Sequence, residues 1–304
     1  MTFVAAVLAL TTATALACAL PGTLLVVRRQ AMLSEAMSHT VLPGIVVALI
    51  VVGAVDSPLL LIGAALAGML VVVGAEYLEG TGLLAGDAPQ GVLYPALFSV
   101  GVILISTRFA GVHLSEHTVL TGDVNLAAFT SLIVGGVDVG PLHLWVMLGV
   151  IAANAALLAL CWKELGAATF DPAFSQVAGL RPRLLHYALM LDVSLTVTAA
   201  FATAGSLLVV ALMIVPPAIA RLLTDSLPRM MALSLLVAVA GAAVGFGLAY
   251  RLDLATSSGI AFFYGLAFLA AWAVSAALHR RHRRSAGIRL CPAGRGVDLA
   301  RQAG

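Results

Sequence analysis

Glu35 and His39 lie four residues apart in the stretch Arg28-Arg29-Gln30-Ala31-Met32-Leu33-Ser34-Glu35-Ala36-Met37-Ser38-His39-Thr40-Val41-Leu42-Pro43-Gly44, which runs straight into an apolar segment. In a helix, that spacing puts the carboxylate and the imidazole on one face. A hard carboxylate oxygen beside an imidazole nitrogen is a ligand pair suited to first-row divalent cations. Ionisable groups that enter a membrane are costly and mark functional positions. The plain alternative is a structural hydrogen bond between Glu35 and His39 that holds the start of the helix. What surrounds the pair decides between these readings.

The chain has 304 residues, of which 62% are hydrophobic and 10% charged. Soluble domains carry about 25% charged residues, and a soluble fold of this size could not bury so much apolar surface. Helices that span a bilayer solve that problem, because their backbone groups pair internally. The 29 glycines suit helices that approach closely in lipid. Apolar segments of roughly 20 residues without polar alternation exclude a β-barrel, whose strands alternate over about 10 residues. The expected fold is therefore all-α: a polytopic membrane bundle of about eight or nine spans.

Apolar runs fall near 4–27, 36–55, 58–78, 89–107, 142–162, 184–203, 205–220, 230–250 and 257–278. The first is read as a retained helix, not a cleaved leader, because no basic segment precedes it. Arg28-Arg29 sets the first connection on the cytoplasmic side and the N-terminus outside. Alternation then places Lys163–Arg183, Arg221–Arg229 and the C-terminal tail inside as well. That tail carries Arg280, Arg281, Arg283, Arg284, Arg289, Arg295 and Arg301 against a single acid, Asp298. It reads as a topology anchor, with no need to invoke nucleic acid. Residues 1–280 are taken as the transmembrane domain and 281–304 as a disordered basic cytoplasmic tail. Only Ala204-Gly205 separates the runs 184–203 and 205–220, so one of them is a candidate broken span. The apolar stretch Leu126–Val134 within the polar region 113–141 is expected to form an interfacial or re-entrant helix.

Several activities are excluded by missing motifs. A Walker A loop needs Gly-Lys, and the only lysine, Lys163, follows Trp162. No His-Glu-x-x-His motif is present, which removes a zincin-type protease. Cys18, Cys161 and Cys291 are isolated and lack metal or redox spacing. The chain is therefore expected to be no enzyme and to hold no permanent cofactor.

Two further segments carry local signals. In Lys163–Leu180, Asp171 is a good N-cap, Pro172 a good first helical residue and Gly179 a good C-terminal stop. Phe174 and Val177 share one apolar face of the short helix so defined, which could dock a cytoplasmic partner or simply connect two spans. In Gly205–Asp225, Pro216-Pro217 removes two backbone donors near the end of a span. The carbonyls so freed need protein or a water-filled path beside them. Pro43-Gly44 makes a similar interruption after His39.

Taken together, Arg28–Gly44, Gly86-Asp87-Ala88-Pro89-Gln90-Gly91, Lys163–Leu180 and Leu207–Asp225 resemble, in order and spacing, the signatures of permease subunits of manganese/zinc/iron ABC importers. The resemblance covers roughly residues 5–280. The family pattern Gly-Asp-Ala-x-Ser-His-x-x-Leu-Pro-Gly places Glu35 at its Asp and His39 at its His, with Ser34 where the pattern has Gly. It implies a type II-like permease in which Glu35 and His39 lie on the path of a transported Mn²⁺, Zn²⁺ or Fe²⁺. It implies that Asp171, Pro172, Phe174, Val177 and Gly179 belong to the helix that couples to the ATPase. The implied partners are cytoplasmic ATPase subunits, an extracytoplasmic metal-binding protein and a second permease chain, in a bacterial cytoplasmic membrane. With Arg29 at the inner boundary and a rise of about 1.5 Å per residue, Glu35 lies roughly 9 Å deep and His39 roughly 15 Å.

Asp192, within the 184–203 run, is read either as path-lining, with Pro216 and Pro217, or as a cap for a backbone break beside Thr196 or Thr198. His113, Glu116, His117 and Asp123 cluster on the outer side, either to guide incoming metal or as a solvated loop, and His143 is a candidate interfacial residue. Two competing functions remain at this level: a secondary carrier driven by an ion gradient, and an ABC permease for a larger metal chelate such as a siderophore or vitamin B12. About nine spans and a Glu/His pair favour a bare ion.

Overall fold

The structure, a computed structural model, describes residues 2–53, 57, 59–108, 123–134 and 137–287. Eleven described helices are numbered in chain order. They are α1 (Phe3–Val27), α2 (Ala31–Val52), α3 (Leu59–Gly80), α4 (Ala88–Arg108), α5 (Val124–Phe129), α6 (Leu142–Phe170), α7 (Pro172–Val177), α8 (Pro182–Ala204), α9 (Ser206–Leu223), α10 (Leu227–Arg251) and α11 (Thr256–Gly287). Nine of them are long and apolar enough to cross a bilayer: all but α5 and α7. They coincide with the nine apolar runs.

α1 is the central helix. It is apolar on all sides and packs against α6, α8, α9 and α10, with Leu10, Leu24 and Leu25 among its buried side chains. Its threonines satisfy their hydroxyls on the preceding turn, as in Thr11 Oγ1 to the Val7 carbonyl at 2.7 Å and Thr14 Oγ1 to the Leu10 carbonyl at 2.8 Å. Pro21 lies inside α1 and offers no N–H to the carbonyl of Ala17, one turn earlier. Asn154 of α6 replaces that donor: its Nδ2 donates to the Ala17 oxygen at 2.9 Å and lies 3.0 Å from Thr196 Oγ1 of α8. This buried node ties three helices together. One helix over, Pro217 similarly frees the Met213 carbonyl, which lies against Gly22 so closely that a Cβ there would overlap it.

The two runs separated by Ala204-Gly205 are both complete helices. The chain reverses at Gly205, whose φ of 77° is a conformation that glycine adopts without penalty. The expected helix over Leu126–Val134 is corrected. Only Val124–Phe129 is helical, and Ser131–Val134 pairs antiparallel with Val137–Pro141 as a two-stranded hairpin, β1–β2. β-Branched residues on both strands and Gly135-Gly136 in the sequence between them explain the preference. Asp123 is the N-cap of α5, accepting from Asn125 N at 2.9 Å. α6 continues eight residues past the expected span end at 162, after a kink at Cys161 (φ −111°, ψ 19°). α11 continues past residue 280 to Gly287, because no glycine or proline interrupts Ala276–Ala286. Residues 288–304, His113, Glu116, His117 and Cys291 lie outside the described residues.

Candidate metal path and coupling face

α2 starts directly after a tight turn. Arg28 N bonds the Leu24 carbonyl at 2.9 Å, Gln30 N bonds the Leu25 carbonyl at 2.9 Å, and Arg29 takes φ 57°. From there Glu35, His39 and Pro43 follow at i, i+4 and i+8 on one face. Glu35 and His39 are half-buried. Among the described residues Glu35 makes no hydrogen bond or ion pair, so the structural bond between Glu35 and His39 is not present. The His39 ring stacks on Tyr94 of α4 (centroids 5.3 Å apart, planes at 18°) and meets Phe98 edge-on at 6.0 Å. These two aromatic neighbours were invisible to sequence reasoning. They stand four residues apart on α4, and the Tyr94 ring covers one face of the imidazole. α4 is drawn close by Gly101, where a Cβ would stand 2.9 Å from Pro43 Cα. Pro43 has no N–H for the His39 carbonyl, so the break falls at the turn that carries the imidazole.

Asp192 is not brought to this pair. On α8, Ser194 faces α3, donating to the Ala65 carbonyl at 2.8 Å, and Phe201 packs with Val41 and Ala64. Thr196 faces α6 through Asn154. At 100° per residue Asp192 shares the α6-facing side with Thr196, opposite the side turned to α2 and α3. Its Oδ2 is buried and has no hydrogen-bond partner among the described residues. Pro216 and Pro217 are buried in α9, which packs on α1 and touches α2. His143 is half-buried at the start of α6. No group of three or more His, Cys, Asp and Glu gathers among the described residues.

The short helix of the 163–180 segment is α7. Asp171 Oδ1 accepts from Phe174 N at 2.8 Å, Pro172 occupies the first turn, and Gly179 closes the end at φ 79°. Phe174 and Val177 project outward, 62% and 89% exposed. α7 packs on α6 and α8.

Beside α7 lies a group that the sequence did not reveal. Arg28 Nε donates to Thr169 Oγ1 at 3.0 Å, and Arg28 Nη1 lies 3.5 Å from His186 Nδ1. His186 Nε2 stands 2.7 Å from Glu76 Oε1, and Tyr187 OH donates to Glu76 Oε2 at 2.6 Å. The His186–Glu76 approach is short but its direction falls outside hydrogen-bond geometry, so it is a close polar contact. Arginine can only donate, which makes Nδ1 the acceptor and leaves the imidazole proton on Nε2. That tautomer faces the carboxylate with N–H, not with a lone pair, so His186 and Glu76 do not form an open metal-ligand pair. Burial lowers the Arg28 pKa from its ordinary value, and the guanidinium remains cationic. These residues line a cavity of about 800 Å³ that also reaches Gln176 and Arg183.

Comparison with known proteins gives the same picture from another direction. Residues 1–275 match the ABC 3 transport family. The chain is 39% identical to the manganese transport system membrane protein MntD of Bacillus subtilis over 277 residues, 91% of this chain and 94% of that relative. It is 38% identical to the zinc transport system membrane protein TroD of Treponema pallidum over 252 residues, 83% and 68% of the two chains. Its fold is that of a chain in PsaBC from Streptococcus pneumoniae, solved in complex with Fab (TM-score 0.73, 24% identity, 90% of this chain and 91% of that one). A match across nearly the whole membrane bundle establishes that the chain belongs to the ABC 3 transport family of membrane permeases.

Proposed function

We propose that this permease passes a bare divalent transition metal ion, Mn²⁺, Zn²⁺ or Fe²⁺, into the cytoplasm. The carrying observation is Glu35 and His39 on one face of α2, half-buried, with no partner for the carboxylate among the described residues. An unpaired carboxylate one turn from an imidazole within a span is expensive unless an ion visits it. Glu35 supplies an anionic oxygen, His39 a neutral nitrogen, and Tyr94 and Phe98 fix the ring. Two ligands from one chain make an incomplete site, and a second permease chain bringing the same pair completes it. Such a site binds loosely enough to release its cargo, as conduction requires. The chain performs no bond chemistry itself. ATP is hydrolysed on separate cytoplasmic subunits that dock on α7 through Phe174 and Val177, and an extracytoplasmic metal-binding protein delivers the ion. Arg28-Arg29, Lys163–Arg183, Arg221–Arg229 and the Arg-rich tail then lie in the cytoplasm and the N-terminus outside, by the positive-inside bias, with Arg108 and Arg251 at outer helix ends.

The test is uptake of radiolabelled Mn²⁺ and Zn²⁺ by cells that depend on this importer. Glu35→Ala and His39→Ala are each expected to reduce uptake at least tenfold while the permease still co-purifies with its ATPase. Uptake at the unmutated rate by both variants would remove the pair from the path.

A further inference from the structure

We propose that Arg28 is a positioning residue that links the ATPase-docking helix α7 to the metal-bearing helix α2. The inference rests on the reading of α7 as the docking helix and adds the route by which its motion reaches Glu35 and His39.

α7 packs on α6 and α8, so a displacement of α7 enters the bundle chiefly through the ends of those helices. Both ends hold Arg28. Thr169 stands two residues before Asp171, the N-cap of α7, and its Oγ1 accepts from Arg28 Nε at 3.0 Å while donating to the Leu165 carbonyl at 2.5 Å. On α8, near the residues that follow α7, His186 meets Arg28 Nη1 at 3.5 Å and is itself held by Glu76 of α3 at 2.7 Å. Arg28 therefore gathers α6 and, through His186, α8 and α3 onto the end of α1.

The next three residues carry that grip into α2. The turn Arg28-Arg29-Gln30 is closed by backbone bonds to Leu24, Val26 and Leu25 at 2.9, 3.2 and 2.9 Å, and Arg29 is locked in the left-handed region at φ 57°. Leu33 N bonds the Gln30 carbonyl at 3.1 Å, so the turn and the first turn of α2 are continuous. A short, hydrogen-bonded turn has little slack, and Glu35 lies seven residues beyond Arg28. Movement of α7 that shifts Thr169 or His186 is thus passed to the start of α2, where the ion-binding carboxylate sits. α1 itself is packed on several sides and is a poor candidate to absorb the motion. A hydrogen bond that only stabilised the fold would not need to join the segment that enters the docking helix to the turn that enters the metal helix.

The experiment uses the full importer, permease with its ATPase, reconstituted in proteoliposomes with its binding protein and Mn²⁺. ATP hydrolysis and Mn²⁺ uptake are measured together. Thr169→Val keeps the side-chain shape and removes the acceptor. It is expected to retain ATP hydrolysis while Mn²⁺ taken up per ATP falls about tenfold, the scale of one charge-assisted hydrogen bond. Thr169→Ser, which keeps the hydroxyl, restores the ratio. Uptake per ATP within twofold of the unmutated complex, or a proportional loss of both activities that Thr169→Ser does not rescue, overturns the proposal. Should Thr169→Val fail to assemble, Arg28→Lys carries the test, since it keeps the charge and loses the directed Nε bond, and it must show the same fall in ratio. Phe174→Asp is measured alongside: if that variant still binds the ATPase, the docking reading of α7 fails, a result distinct from any outcome at Thr169.

Discussion

Asn154→Leu tests the physical account of the bundle at a fully buried polar node. In the protein the Asn154 Nδ2 supplies the donor that Pro21 cannot give to the Ala17 carbonyl, at 2.9 Å, and it also meets Thr196 at 3.0 Å. Leucine fills a similar volume and removes both bonds. Thr196 has a fallback, the carbonyl one turn earlier, as Thr198 already bonds the Ser194 carbonyl at 2.7 Å. Its loss is therefore small, in line with the roughly 0.6 kcal/mol average for interhelical bonds in membranes. The Ala17 oxygen has no fallback. Left unpaired in an apolar interior it costs about 1–3 kcal/mol, so the expected destabilisation is about 2 kcal/mol. The decisive step is the second substitution. Pro21→Ala returns an N–H to Ala17, so in the Asn154→Leu background it should recover about 1–2 kcal/mol more than it does in the unmutated protein. Unfolding free energies from SDS titration in mixed micelles, for the two single variants and the double, give the coupling directly. Additivity within about 0.5 kcal/mol would refute the claim that Asn154 answers for Pro21.

Two further outcomes are expected. Phe174→Asp puts a carboxylate on the exposed apolar face of α7 without touching its caps; it should abolish co-purification of the ATPase while leaving the thermal midpoint of the permease within about 2 °C, a surface effect below about 0.5 kcal/mol. Gly22→Ala should destabilise the bundle by about 1–2 kcal/mol, because overlap with the Met213 carbonyl outweighs the gain in helix propensity; a thermal midpoint equal to or above that of the unmutated protein would show that α1 and α9 can part without cost.

What the sequence displayed and what it hid divide along one physical line. Features written within one or two turns were legible. The nine spans show as apolar runs, Gly205 as the one possible reversal point, and Asp171-Pro172 with Gly179 as the two ends of α7. Glu35 and His39 were legible for the same reason, being four residues apart. Contacts made by the bundle were not. Asn154 reaches Ala17 across 137 positions, Arg28 reaches Thr169 across 141 and Tyr187 reaches Glu76 across 111. No periodicity encodes such pairings. Tyr94 and Phe98 looked like any aromatic residues in an apolar helix until α4 laid them on His39. The β1–β2 hairpin was misread because a short apolar run has too few residues to show its period. Asp192 could be read from the sequence as path-lining or as a cap for a backbone break; only the bonds of Ser194 and Thr196 reveal which way its face of α8 turns.

The prolines show how the path differs from the rest of the bundle. Each proline inside a span frees the carbonyl four residues earlier, and in lipid that oxygen must be met by protein, water or an ion. At Pro21 the protein meets it with the Asn154 amide. At Pro217 the freed Met213 oxygen is sealed against the Cα of Gly22. At Pro43 the oxygen is that of His39, and no side chain among the described residues donates to it. On α1 and α9, then, the released carbonyl is met or covered by protein; on α2 it belongs to the turn that carries the His39 ring, one turn beyond a carboxylate with no partner among the described residues. Lone pairs of three kinds concentrate on one turn and a half of helix, and no side chain among the described residues donates to the carboxylate or the carbonyl. That arrangement is the one the proposed metal path calls for, since a partly dehydrated divalent cation takes oxygen and nitrogen lone pairs.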